Sequence, residues 1–532
     1  MRKRLFALLL TLVLILALAA CGGGDTTTTP PPGGNSTPQN SPGATSNPSS
    51  PASPASPAKP TEITVALSQL PNGLDPLLED TPNALNIVLT YCDRLIAFDA
   101  DNNMVPAIAK SWTKLDSLTW ELEIDLDNVF HNGEPLTMDD VVFSLERIKT
   151  IPKAADAGRK IGEVSYTGNK LTLKLSDDST AALSMVLTQS YIVNKAYVEA
   201  GGDEAIYLKP IGTGPYYLTE FTPGTSVTVE KWADYPFAQP AIDKINYIPI
   251  PESSARYIAV ETGQAQFAYM LSSFEMALAE KNKDLTTVIK SNIRAFPIVI
   301  NCEKPPFDNV NVRKALAYAF DREAYCSILG FRTPIKSVIF PGWEGIYVEP
   351  TNLPEFNLQR AKELLEAEGF NAANPLVFEL MYQPNTRDPG IEIYQSALKS
   401  IGVEMQLNLV ELSVFLQRES AGDFDIEIAN YTNRASNPIT DLDRVDWNLL
   451  GSRNTSRFYN ERVMELIALM RTTTDNTELR RLNVELNEIL GENVPMIPIM
   501  IIETLAVMDN KLTGVTINPA MFVNLRTGVY AG

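Results

Sequence analysis

From residue 61 onward, apolar and polar positions follow two rhythms. Ile63-Thr64-Val65-Ala66-Leu67 predicts a buried strand, and Trp120-Glu121-Leu122-Glu123-Ile124 alternates as a strand with one wet face should. Asn132-Gly133 marks a turn. Thr137, with Asp140 three residues on, predicts a capped helix start, and Val141, Val142, Leu145 and Ile148 form its apolar stripe. The same 3.6-residue rhythm predicts one helix from about Val310 to Ile328, with Val312, Ala315, Leu316, Ala319 and Phe320 on one face. Another helix runs from Asn357 to a glycine stop at Gly369, and two more lie near 461–470 and 478–490. Strands and helices mixed along a long chain predict α/β lobes rather than a bundle or a sandwich. No repeat of 20–50 residues marks a solenoid or propeller.

The first sixty residues show neither rhythm. Arg2, Lys3 and Arg4 precede a stretch from Leu5 to Ala20 that is apolar except for Thr11 and ends in Leu18-Ala19-Ala20-Cys21. A basic head, a short apolar run and small residues before a cleavage point describe a secretory signal over residues 1–20. The run falls short of the ~20 residues that cross a bilayer core. Its end resembles the bacterial lipobox, which implies that Cys21 is acylated and becomes the new N-terminus. More than one acyl chain there makes a lasting tether. Residues 22–60 contain no Val, Ile, Leu, Met or aromatic residue, so nothing offsets the entropy of ordering them. With Cys21 they read as a leash, about 130 Å at full stretch and about 35 Å as a flexible coil.

Composition narrows the chemistry. The 532 residues allow two to four domains. A net charge of −20 argues against nucleic acid and anionic lipid as partners, since both demand clustered Lys and Arg. With Cys21 set aside, Cys92, Cys302 and Cys326 permit one disulfide at most, and the helix expected between the last two sets them apart. They are expected as mostly buried thiols. No Cys-x-x-Cys points to zinc, and His131 is the lone histidine, more often a structural hydrogen-bonder than a base or ligand. Nucleophile-elbow, Walker, zincin and dinucleotide motifs are absent. Gly212-Thr213-Gly214-Pro215 is glycine-rich but lacks the Lys-Ser/Thr of a phosphate cradle. The acid pairs Asp139-Asp140, Asp177-Asp178 and Asp441/Asp443 read as solvated surface in a chain with 64 acids. These observations predict neither an enzyme nor a cofactor.

Several segments resemble the family 5 extracellular solute-binding proteins, the oligopeptide- and dipeptide-binding subunits of ABC importers. They include Tyr91-Cys92-Asp93-Arg94-Leu95-Ile96 with Pro106-Ala107-Ile108-Ala109-Lys110-Ser111-Trp112, and the more specific Val129-Phe130-His131-Asn132-Gly133-Glu134-Pro135-Leu136-Thr137. Ile211-Gly212-Thr213-Gly214-Pro215-Tyr216, Pro306-Phe307-Asp308, Val312-Arg313-Lys314-Ala315-Leu316, Asp321-Arg322 and Pro495-Met496-Ile497-Pro498 follow in family order. Most of these are turns, caps and core.

The resemblance implies an α/β, two-lobed class II periplasmic-binding-protein fold. Lobe I would comprise 61–96, 208–295 and 501–532, with a subdomain inserted at 97–207, and lobe II would span 296–500. It further implies a monomer that closes on a peptide and delivers it to the importer's permease subunits. A family member for an oligosaccharide, an opine or a metal chelate is the alternative. Carried over by position, the ligand-binding candidates are Glu79, Thr81, Asn301, Tyr431, Asn433 and Arg434. Arg434 stands four residues before Pro438, where many peptide-binding relatives place an Asp that holds the ligand's α-ammonium. A guanidinium accepts no hydrogen bond and repels an ammonium, so it suits a carboxylate, a phosphate or an oxygen-rich group. Asp441, Asp443 or Glu79 are the other acids that could serve an ammonium.

Overall fold

The computed structural model describes residues 61–532 apart from Asp80, 340–344, 385–388 and 434–436. The signal, Cys21, the leash and Arg434 therefore lie outside the described residues.

Among the described residues a nine-stranded sheet and a five-stranded sheet divide the chain. Strand Glu62–Leu67 lies within the larger sheet, parallel to Lys244–Pro249 and to Phe267–Tyr269. Ile63, Val65, Ala66 and Leu67 are all buried, which explains the unbroken apolar run. The smaller sheet sets Leu376–Tyr382 parallel to Val403–Leu409 and to Ile426–Ile428, and Ile298–Ile300 antiparallel to Ile426–Ile428. A four-stranded antiparallel sheet, Ala109–Lys114, Thr119–Ile124, Lys170–Leu175 and Ile161–Thr167, covers the stretch expected as an insertion. Its Leu122, Leu171 and Leu173 share one apolar cluster with Ile63, Val65 and Tyr247 of the large sheet.

The chain crosses between the two main sheets twice. Strand Leu285–Ala295 belongs to the large sheet and Ile298–Ile300 to the small one; the return runs from Met496–Ile497 to Met500–Asp509. The segment 296–500 also lends two short strands to the large sheet. Arg332–Pro334 pairs with Met500–Asp509, and Tyr431–Thr432 pairs with Leu285–Ala295.

Local sequence chemistry sets most helix ends. Thr137 and Asp140 form the reciprocal capping box of helix Met138–Thr150, with Oγ1 accepting from Asp140 N at 3.3 Å and Asp140 Oδ2 accepting from Thr137 N at 3.0 Å. Asn357 caps Leu358–Ala367, which ends two residues before Gly369, where φ is +90°. The helix expected over 310–328 is instead two, Val310–Tyr318 and Arg322–Leu329. Asp321 breaks it because its carboxylate accepts from Ala324 N at 2.9 Å, starting a new helix. The break lets Phe320, Tyr325 and Cys326 join the same core as Val312 and Leu316. None of Cys92, Cys302 and Cys326 is in a disulfide; Cys92 and Cys326 are buried, Cys302 half-buried.

His131 and the Gly212–Pro215 stretch are scaffold in this structure. His131 Nδ1 accepts from Gly212 N at 3.2 Å and Nε2 lies 2.9 Å from Gly214 O, so the ring proton sits on Nε2. A Cβ on Gly212 would stand 2.0 Å from the Tyr91 carbonyl oxygen, which is why side chains are excluded there. Burial pushes the His131 pKa down to about 4, against an ordinary 6.5, despite its bond to Gly214 and the nearby Asp93. The native state therefore holds the ring neutral while the unfolded chain takes up a proton. Stability should fall as pH drops from about 6.5 to about 4, by at most about 3 kcal/mol from this residue. Urea unfolding across that range should show this loss in wild type and a shallower one in His131→Gln.

Candidate functional site

Two stretches carry most of the positions singled out in the sequence: the first leaves a strand of the large sheet, and the second leaves a strand of the small sheet and pairs back onto the large one through Tyr431–Thr432. The first is the loop from Ser68 to Thr81 that leaves the buried strand Glu62–Leu67. Asp75 at its centre is 0% exposed and ion-paired with Arg147 on the buried face of helix Met138–Thr150. Arg147 Nη1 donates to Asp75 Oδ1 at 3.1 Å and Nη2 donates to Oδ2. Asp75 also receives Leu77 N at 3.0 Å, while Tyr91 Oη donates to Leu74 O at 2.5 Å and Lys153 Nζ to Leu78 O at 2.5 Å. The Tyr207 ring lies so close over Gly73 that a Cβ there would stand 2.0 Å from it.

The loop then delivers Glu79 and Thr81. Tyr207 Oη donates to Glu79 Oε1 at 2.9 Å, and no cation pairs with this carboxylate among the described residues. Thr81 caps helix Pro82–Tyr91, accepting from Ala84 N at 3.3 Å. Asn83 on that helix donates to Ser68 Oγ and Gln69 O, at 3.0 and 2.9 Å, and so ties helix to loop.

The second stretch follows strand Ile426–Ile428. Tyr431 lies beneath the Arg444 guanidinium at 4.2 Å, and its hydroxyl is 3.5 Å from Thr455 Oγ1. Arg444 pairs with Asp441 at 3.2 Å. Asn433 is 2% exposed, and its amide donates to Asp441 Oδ1 at 2.9 Å and Asn437 O at 2.8 Å while accepting from Thr440 Oγ1 at 2.8 Å. Asp443 bonds Arg471 at 2.7 Å, and the same arginine also meets the buried Asp446 at 2.5 Å. Asn301 sits elsewhere: it is buried, and its amide donates to Gly422 O and Phe424 O at 3.0 and 3.1 Å, fastening a loop of its own lobe. Arg434 lies outside the described residues. No hydrogen bond or ion pair joins Glu79 or Thr81 to Tyr431 or Asn433.

Contact across the crossings is made by other residues. Ala181, at the start of helix Thr180–Thr188, is buried in a cluster with Ile439, Leu442, Val463 and Leu466. Arg453 and Asp156 meet at 3.4 Å with both side chains 59% exposed, an ion pair of little weight.

Beneath Tyr431 lies a pair that sequence reasoning missed. Glu427 is 0% exposed, accepts from Thr455 Oγ1 at 2.9 Å, and faces Glu419. Burial pushes Glu419 up to about 7 and Glu427 higher still, with the two carboxyls raising each other's cost of ionisation. At neutral pH the pair therefore holds a proton. The available signal was one acid inside the apolar run Ile426-Glu427-Ile428-Ala429. Among the described residues no group of acids, His or Cys is placed to hold a metal, and no helix is long and apolar enough to cross a membrane.

Solved structures of the same architecture exist. HbpA2 from Haemophilus parasuis superposes with a TM-score of 0.81 at 23% identity, covering 88% of this chain and 100% of that one. A dipeptide-binding protein from Pseudoalteromonas sp. SM9913, in complex with Met-Leu, gives 0.72 at 21% identity, covering 88% and 100%. The fold is the two-lobed α/β fold of periplasmic binding proteins. A family model described as bacterial extracellular solute-binding proteins, family 5 middle, matches residues 103–447, more than half of the chain, and the chain belongs to that family. Glutathione-binding protein GsiB of Escherichia coli O1:K1 / APEC is 25% identical over 481 residues, covering 86% of this chain and 92% of that protein.

The Asp75–Arg147 pair is the anchor of the first stretch. Arg147→Met strands the fully buried Asp75 carboxylate and should cost about 3–5 kcal/mol in urea unfolding. Adding Asp75→Asn to it should recover part of that loss, because the second change removes the stranded charge.

Proposed function

We propose that this protein captures a short peptide between its two lobes and delivers it to the permease of an ABC importer. The observation that carries the reading is family membership on a two-lobed fold whose chain crosses twice between its two main sheets. A ligand that bridges the lobes gains contacts available only in the closed state. A peptide suits such a cleft because its backbone offers donors and acceptors along its length, whatever its side chains. The relative named for glutathione and the neighbour holding Met-Leu bind ligands of that kind.

The reading extends to the ends of the chain and of the ligand. Cys21 tethers the body to the outer face of the cytoplasmic membrane, supported by the signal and leash compositions. Detergent phase partitioning should move wild type, and not Cys21→Ala, into the detergent phase; equal aqueous behaviour of both in a lipoprotein-competent host contradicts the tether. At the ligand's amino end, Arg434 replaces the usual acid, and Asp441 and Asp443 are already engaged by Arg444 and Arg471. A free α-ammonium is therefore not the main anchor. In calorimetry, trialanine and N-acetyl-trialanine should bind within a few-fold of each other. Loss of binding on acetylation would show an ordinary ammonium clamp, with Glu79 the available acid; failure of both peptides would reject the peptide reading itself.

A further inference from the structure

Arg94 follows helix Pro82–Tyr91 by three residues and is 5% exposed. Its guanidinium carbon lies 5.2, 5.5 and 5.1 Å from the ring centres of Phe98, Tyr191 and Phe522. Nη1 reaches the Thr188 carbonyl at a long 3.4 Å. No carboxylate of the described residues pairs with it: the neighbouring Asp93 is taken by Arg526 and by Thr213 Oγ1. Burial works against the charge, and the second cation Arg526 adds to the cost. The three aromatic faces offset part of that cost, and Tyr191 also hydrogen-bonds the guanidinium, yet none of these neutral groups supplies the anion that its donor fork is matched to.

A second buried donor lacks a partner close by. Asn102 is 3% exposed and its Nδ2 has no hydrogen-bond acceptor, while its Oδ1 accepts from Asn518 Nδ2 at 3.3 Å. Asn518 Oδ1 in turn accepts from Phe522 N at 3.0 Å, so this amide adjoins the loop that contributes one wall of the arginine's cage. The cage lies toward the other lobe. Its Phe522 loop is fastened to the crossing strand Leu285–Ala295 by Ile293 N donating to Pro519 O at 3.1 Å. Its Thr188 ends the helix whose Ala181 packs among second-lobe residues. Phe98 and Phe522 keep part of their surface open.

We propose that Arg94, caged by Phe98, Tyr191 and Phe522, is the first lobe's recognition site for a carboxylate of the ligand, the anion that this buried cation otherwise lacks. For a peptide this is the C-terminal carboxylate, and that assignment rests on the peptide reading above. The anion site itself does not.

The test uses three probes on the full-length protein with Arg94→Gln and Arg94→Lys, each checked for folding by circular dichroism. Wild type should bind trialanine at least tenfold more tightly than trialanine amide in calorimetry. Arg94→Gln should bring the acid down to the level of the amide, and Arg94→Lys should keep part of the preference. Sodium acetate, compared with sodium chloride at equal ionic strength, should raise the melting temperature of wild type and not of Arg94→Gln. If wild type binds the acid and the amide equally and gains nothing from acetate, the proposal is overturned on wild type alone. A folded Arg94→Gln that keeps the full preference and the acetate effect overturns it as well. If neither peptide binds while acetate stabilises wild type only, the peptide reading falls and the anion site stands.

Discussion

The constraint on which the rest depends is that the chain passes between the two sheets in continuous backbone, through the few residues after Ala295 and after Ile497. Leu285–Ala295 and Met500–Asp509 pair antiparallel, so both passages leave the large sheet side by side. Glu503 fastens them. It is 8% exposed, accepts from Ser291 Oγ at 3.0 Å, and receives Thr333 Oγ1 from the short strand that joins the same edge. Any change in the angle between the sheets has to be absorbed in the residues just beyond this knot, which is how a hinge differs from a flexible linker.

In the proposed reading, rigid stretches on either side make the hinge useful. The buried Asp75–Arg147 pair fixes the loop that delivers Glu79 and Thr81, and the Arg444–Tyr431 stack with its Asp441 and Asn433 network fixes the stretch after Ile428. Between the lobes the described contacts include two short strands of 296–500 paired onto the large sheet, Ser273 Oγ donating to Leu329 O at 2.8 Å and Asn433 N donating to Ile293 O at 3.0 Å, besides the buried Ala181 and the exposed Arg453–Asp156 pair. In the proposed reading, a ligand that touches both lobes shifts the equilibrium toward closure by its greater affinity for that state.

Features governed by neighbours in sequence were legible. Thr137 with Asp140, Asn357 and Gly369 gave true helix ends, because capping is settled within four residues. The alternation at 120–124 and the buried run at 63–67 likewise reported their own faces. Asp321 escaped notice because an apolar stripe runs through it, and only the cap geometry shows the break. The long-range pairs were not legible: Asp75 and Arg147 stand 72 residues apart in sequence, and Arg94 meets Phe522 only through the fold. Asn301 and Asn433 show the converse. Polar residues beside a crossing strand look available in a sequence, yet their amides serve the backbone around them. Arg434, the residue on which the expected end-group preference turned, is not among those described.

Small-angle X-ray scattering with and without a ligand whose binding has been verified by calorimetry tests the closing-receptor account most directly. The radius of gyration should fall on saturation as the lobes come together over the ligand. Superimposable curves for the empty and saturated protein would contradict it.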